Sequence, residues 1–287
     1  MQQDILLWCV AAPAIISLAF VVFPVVISRP WCKNGCVPRW QGLLACVGWC
    51  VAVTVTLVAR QNVSWWPTEA WQQVIWPIAC TSLALGWLSG EGERERNVRW
   101  MIAGIGTSVV AMLAMPSDDG WTDVLPLHRY WMAATSVSGL LNMWMLDRMA
   151  RNGAGGWVLW VGLASLGTPA ILAASTYGGL AEWLLAAISS TFVFAIAMTL
   201  KRTSMIWCAV YSTSLFGVAA TTAGRFYTYE EHPVWLYAMI LLLPTMIALV
   251  DTLQRNRSTR LRVIAATATS ILFLTVVAWR ILGTTAA

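Results

Sequence analysis

The feature that most constrains this chain is a succession of long apolar stretches, each bounded by charges or turn residues. They run Ile5–Ile27, Gln41–Val58, Trp71–Ser89, Trp100–Met115, Tyr130–Leu146, Trp157–Ser175, Leu180–Leu200, Met205–Ala223, Val234–Val250 and Val263–Leu282. A bilayer core about 30 Å thick is crossed by about 20 apolar residues of α-helix, and these stretches have that scale. They lack the polar–apolar alternation of barrel strands. The expectation is an all-α, polytopic transmembrane helical bundle of about ten spans, with residues 1–287 forming a single integral membrane domain. Composition agrees: 59% of residues are hydrophobic and 11% charged, against roughly a quarter charged in soluble domains. A mean hydropathy of +0.67 excludes disordered, collagen-like and disulfide-scaffold chains.

The basic residues predict the orientation. The odd-numbered loops hold fourteen of the 18 Lys and Arg, whereas the other side holds Arg60, Arg129, Arg225 and Arg280. Short loops rich in Lys and Arg stay in the cytoplasm, so both termini are expected outside, in a bacterial cytoplasmic (inner) membrane. Spans six and seven are joined only through Tyr177-Gly178-Gly179. A re-entrant hairpin there would reduce the count to eight and leave every other loop on its side. Met1-Gln2-Gln3-Asp4 carries no basic n-region, which predicts an uncleaved first helix. The net charge of +5 follows from this topology and from anionic inner-leaflet lipid, so nucleic acid is not expected as a partner.

Nineteen tryptophans suit an interfacial aromatic belt. Trp65, Trp66, Trp71, Trp76, Trp121, Trp131 and Trp235 are expected near the outer face; Trp31, Trp40, Trp87, Trp100 and Trp157 near the inner one. An internal echo relates spans five and nine at an offset of 104 residues. His128 matches His232, Trp131 matches Trp235, Ala134 matches Ala238, Asp147 matches Asp251, and Arg151 matches Arg255. Two readings are open, a parallel helix-hairpin repeat covering 128–175 and 232–282, or convergence on what any helix carries at two interfaces.

An ionisable group at mid-depth would mark a proton relay or ion path. Within the spans only Glu182 and Arg280 are ionisable, both near an end from which headgroups are in reach. Pro13, Pro24, Pro77, Pro169 and Pro244 are candidate helix breaks. Gly104, Ser108, Ala134, Ser138 and Gly139 are expected to let helices approach closely. Cys32 and Cys36 form a Cys-x3-Cys pair short of a zinc ligand set, whereas Cys9, Cys46, Cys50, Cys80 and Cys208 read as small buried hydrophobes.

The sharpest candidate site is the outer mouth of spans five and nine. It holds His128 and His232, the two histidines of the chain, with Arg129, Asp118, Asp119 and Asp123 on one side and Arg225, Glu230 and Glu231 on the other. Neutral imidazole accepts a quinol proton near neutral pH and is a common metal ligand. Interfacial histidines bonded to headgroups or backbone are the plainer reading. No motif names a cofactor, and no protease, P-loop or dinucleotide signature is present. The expectation is a non-catalytic subunit or anchor of a membrane complex, its partners the lipid bilayer and other subunits, with an outer-side quinol or metal site. The alternative is a small-molecule permease with a central cavity.

Overall fold

The computed structural model describes residues 2–28, 40–61, 67, 69–89, 93–116, 125–151, 155–201, 207–227 and 232–285. Every regular element among them is helical. In order these are α1 (Gln2–Ile5), a π-helical turn (Leu6–Ala11) and α2 (Ala12–Ser28), which form one rod. There follow α3 (Trp40–Gln61), α4 (Ala70–Gln73), α5 (Ile75–Trp87), α6 (Glu93–Leu113) and α7 (Leu125–Met149). The last five are α8 (Gly155–Thr176), α9 (Gly178–Lys201), α10 (Ala209–Phe226), α11 (Val234–Leu253) and α12 (Thr259–Thr285). Among the described residues, six segments are long and apolar enough to cross a membrane: Gln3–Phe23, Trp40–Arg60, Trp157–Ser175, Gly178–Leu200, Val234–Leu253 and Thr259–Gly283. α8 and α9 are joined through Tyr177 alone and pack along each other. Both are of crossing length, so the pair is two full helices rather than a short re-entrant element.

Proline shapes the local structure, and polar side chains repair what it removes. Pro13 has no N–H to give the Cys9 carbonyl and its ring presses on that turn, and the widened π turn lies immediately before it. Two carbonyls there are met from neighbouring helices: Thr56 Oγ1 donates to Trp8 O at 2.6 Å and Ser189 Oγ to Val10 O at 2.9 Å. In α8 the carbonyl of Ser165, four residues before Pro169, accepts from Thr168 Oγ1 at 3.2 Å. In α11, Asn142 of α7 enters at the rung where the Thr245 N–H would meet the Leu241 carbonyl, just beyond Pro244. Its Nδ2 donates to Leu241 O at 2.7 Å, and its Oδ1 accepts from Thr245 N at 3.2 Å and from Thr245 Oγ1 at 2.6 Å. With no water in the hydrocarbon, such substitutes keep a broken helix inside a membrane.

α10 is the axis of the bundle. It touches α3, α5, α6, α7, α8, α9 and α11, and apart from Gly217 its residues from Ala209 to Gly224 are buried. Lipid is as apolar as a leucine core, so such packing is held by van der Waals contact and interhelical hydrogen bonds. Tyr177, Trp71, Trp183, Phe216 and Trp49 meet successively edge to face at 4.7–5.6 Å between ring centroids, and Trp49 Nε1 donates to Thr191 Oγ1 at 2.9 Å. Trp71 is therefore packed among other side chains, at 2% exposure. α12 is the opposite extreme: Leu261, Ile264, Ile271, Leu272, Trp279 and Leu282 are all exposed, and it packs along α11 and α8.

Close helix approach occurs largely at glycines other than those expected. A Cβ on Gly42 would lie 2.8 Å from the Gly86 carbonyl oxygen, and one on Gly86 would lie 2.8 Å from that of Gly42. The backbones of α3 and α5 thus touch. Gly139 does pack tightly, its would-be Cβ 2.8 Å from Val218 Cγ2, but Gly104 faces open space and Ser108 and Ala134 are exposed. Gly42→Ala is expected to force α3 and α5 apart at about 1–3 kcal/mol, whereas Gly104→Ala is neutral or slightly stabilising. Melting temperatures of the two variants in detergent check this, and equal values would contradict it. Cys80 is exposed rather than buried, and Cys46 Sγ meets the Cys208 carbonyl at 3.4 Å, so Cys208 is not isolated. Cys32, Cys36, Trp31, Trp65, Trp66 and Trp121 lie outside the described residues.

Candidate functional site

The adjacent helices α7 and α11 place their histidines at one end of the bundle and their aspartates at the other. At the histidine end, one helical turn of α7 presents His128 and Trp131, α10 ends in Arg225 and Phe226, and α11 contributes Tyr237. The His128 and Phe226 rings meet edge to face at 4.8 Å, Trp131 lies 6.2 Å from Phe226, and Trp131 stands perpendicular to Tyr237 at 6.4 Å. The Arg225 guanidinium lies 6.0 Å from the Trp131 ring and 5.5 Å from that of Tyr237, within cation–π range. Both histidines are buried, His128 at 6% exposure and His232 at 3%. Burial pushes the His128 pKa below the usual imidazole value, because loss of water disfavours the charged form. Burial thus favours the uncharged form of the His128 ring.

Of the residues singled out from the sequence, His128 and Arg225 share this aromatic cluster. His232 is buried beside Pro233 at the entry to α11. Arg129 is exposed and takes no part in the ring contacts. Asp118, Asp119, Asp123, Glu230 and Glu231 lie outside the described residues. Among the described residues no three His, Cys, Asp or Glu side chains converge as a metal site requires.

The aspartate end holds a polar centre that the sequence reading passed over. Asp147, at 4% exposure, accepts from three sides. Tyr211 Oη donates to Oδ1 at 2.7 Å, Arg151 Nε reaches both carboxylate oxygens at 3.0 Å, and Arg99 Nη2 reaches Oδ2 at 3.4 Å. Arg151 also donates to the Ser89 carbonyl at 3.2 Å, just past the end of α5, where a cation complements the helix dipole. Its guanidinium lies 5.3 Å from the Trp207 ring, which meets Tyr211 edge to face. Arg99 is 2% exposed, and among the described residues its Nε and Nη1 have no hydrogen-bond partner. One buried carboxylate thus ties α6, α7 and α10 together and faces two guanidinium groups. The available signal was the four-residue spacing of Asp147 and Arg151, which puts them on one helix face. In the sequence these charges read as ordinary loop-edge residues.

Other charges are paired as well. Glu182 does not reach for headgroups; it binds Arg60 through two contacts, Nη2–Oε1 at 2.6 Å and Nε–Oε2 at 3.2 Å. Asp251 forms a two-point pair with Arg262 at 2.8 and 2.7 Å. This pair closes one end of a cavity of about 340 Å³ between α8, α11 and α12, whose other walls include Trp160, Val161, Ala164, Ile247 and Val263. A much smaller void of about 10 Å³ lies beside α10 among Asn142, Ser165, Ser214, Thr221 and Pro244. That is room for about one water molecule.

No family model, curated protein or solved structure matches the chain. Its class therefore rests on its own geometry: an all-helical, membrane-embedded protein whose axis is filled by a buried helix, with polar clusters at its two ends.

Proposed function

We propose that this chain is a non-catalytic integral subunit or anchor of a membrane complex, crossing a bacterial cytoplasmic membrane ten times with both termini outside. The observation that carries this reading is the filled axis. α10 is enclosed by seven helices, and the void beside it holds about 10 Å³. A permease would place a solute-sized chamber there, of the order of 300 Å³ or more. The multi-pass arrangement is supported by ten apolar windows that each coincide with a helical rod. The four rods not of free-standing crossing character, α4 with α5, α6, α7 and α10, lie within the bundle or carry charges at one end. The histidine end supports a ligand site as part of that role: a neutral imidazole and a half-buried guanidinium, framed by three aromatic rings, suit a quinol headgroup. His128 would accept its hydrogen bond and Arg225 would stabilise developing negative charge.

Purification from native membranes in a mild detergent, followed by quantification of co-purifying chains, tests the role. A subunit brings at least one partner in near-equal amount. A chain that emerges alone, and that admits small solutes when reconstituted in vesicles, would replace this reading with the permease.

A further inference from the structure

We propose that the cavity between α8, α11 and α12 is a binding site for one anionic phospholipid, its acyl chain in the cavity and its phosphate on the arginines of the α11–α12 turn. The inference rests on membrane embedding alone and stands apart from the subunit reading.

The cavity has the polarity gradient of an amphiphile. At the turn it is bounded by Thr259 and the Asp251–Arg262 pair; further in, Val161, Ala164, Ile247 and Ala266 form apolar walls as far as Ser270. From Arg262 to Ser270 it follows α12 for about 12 Å at about 1.5 Å per residue. A volume of about 340 Å³ accepts a molecule of ligand size but is walled mainly by hydrocarbon. A free phosphate would gain nothing from those walls, whereas an acyl chain fills them.

Charge selects the headgroup. Between Thr252 and Arg262 the chain carries Arg255, Arg257, Arg260 and Arg262 and no acid. Arg262 is neutralised by Asp251, so the pair forms a polar rim of no net charge. Arg255, Arg257 and Arg260 are exposed on the same turn, which brings three further positive charges within a few residues of Thr259 and the Asp251–Arg262 rim, where the exposed indole of Trp157 also lines the cavity. Basic pockets between membrane helices select anionic headgroups, and each nearby arginine strengthens the attraction.

Native mass spectrometry of the delipidated full chain, titrated with dioleoyl phosphatidylglycerol, dioleoyl phosphatidylcholine or glycerol phosphate, tests the site. The expected result is one phosphatidylglycerol per chain, about tenfold tighter than phosphatidylcholine, with no displacement by glycerol phosphate. The triple variant Arg255→Gln, Arg257→Gln, Arg260→Gln alters exposed residues only and should erase the preference for phosphatidylglycerol while retaining the single bound lipid. Ala266→Phe, which fills the cavity, should remove the bound lipid. Equal binding of the two lipids by the wild-type chain, or displacement by glycerol phosphate, would overturn the proposal. So would a triple variant that keeps the preference.

Discussion

Asp147→Asn is expected to lower the melting temperature of the detergent-solubilised protein by about 10 °C. The Asp147 carboxylate takes contacts from Arg99, Arg151 and the Tyr211 hydroxyl. Removing it leaves two guanidinium groups facing a neutral amide, with Arg99 at 2% exposure. Breaking a buried pair from one side costs about 3–5 kcal/mol, and about 2–4 °C is lost per kcal/mol in a chain of this size class. The mirror substitution is milder. In Arg99→Gln, Asp147 keeps Arg151 and Tyr211, so a loss of only a few degrees is expected. The double variant Arg99→Gln, Asp147→Asn should melt above Asp147→Asn alone, since less uncompensated charge stays buried. Size-exclusion melting curves of the three variants decide this, and an Arg99→Gln variant less stable than Asp147→Asn would show that the carboxylate is not the hub.

Asn142→Leu is the second large expectation, and its diagnostic is rescue. The asparagine amide serves Leu241 O and Thr245 N–H in the proline-interrupted turn of α11. Leucine has the same number and branching of heavy atoms but no polar atoms, so both backbone groups lose the bond that Asn142 supplies in a dry interior, at about 1–3 kcal/mol each. Pro244→Ala removes the obstruction that keeps α11 from closing its own ladder. With alanine there, the Thr245 N–H can turn back to the Leu241 carbonyl, and Asn142→Leu should become nearly harmless. The two substitutions are thus expected to be strongly non-additive, as for residues in one network. Additive losses in the four-variant thermal cycle would mean that Asn142 contributes by packing, not by repairing the helix.

The helices were legible from apolar length alone. Each of the ten windows coincides with a helical rod, and among the described residues six of these rods are long and apolar enough to cross a membrane. Of the prolines expected as breaks, Pro13 follows a π turn and Pro77 the α4–α5 junction, whereas α2, α8 and α11 run on through Pro24, Pro169 and Pro244. Nothing in the sequence says that Thr56, Ser189 or Asn142 would donate to carbonyls near Pro13 and Pro244. Pairing was not legible. Glu182 read as a residue bound for headgroups and instead holds Arg60, 122 positions away. Nor does the sequence pair Trp71 with Trp183, 112 positions away, whose ring it meets edge to face. The candidate histidine site was legible in part: His128 and Arg225 were named, while its frame of Trp131, Phe226 and Tyr237 depends on how α7, α10 and α11 come together.

The order of apolar and charged residues along the chain determined that it is helical, where its helices lie and that its medium is a membrane, because each of these depends on the local count of groups that water must or must not solvate. Which helix occupies the axis was decided only in three dimensions. α10 carries Ser212, Thr213, Ser214, Thr221 and Thr222 along it, and it becomes the centre because small hydroxylated residues let seven helices close around it and exchange hydrogen bonds there, as Thr213 does with Thr191. α12 carries no charge between Arg262 and Arg280 and yet stays outside, since in lipid an apolar surface gains little by being covered and packing shape, not hydrophobicity, chooses the interior.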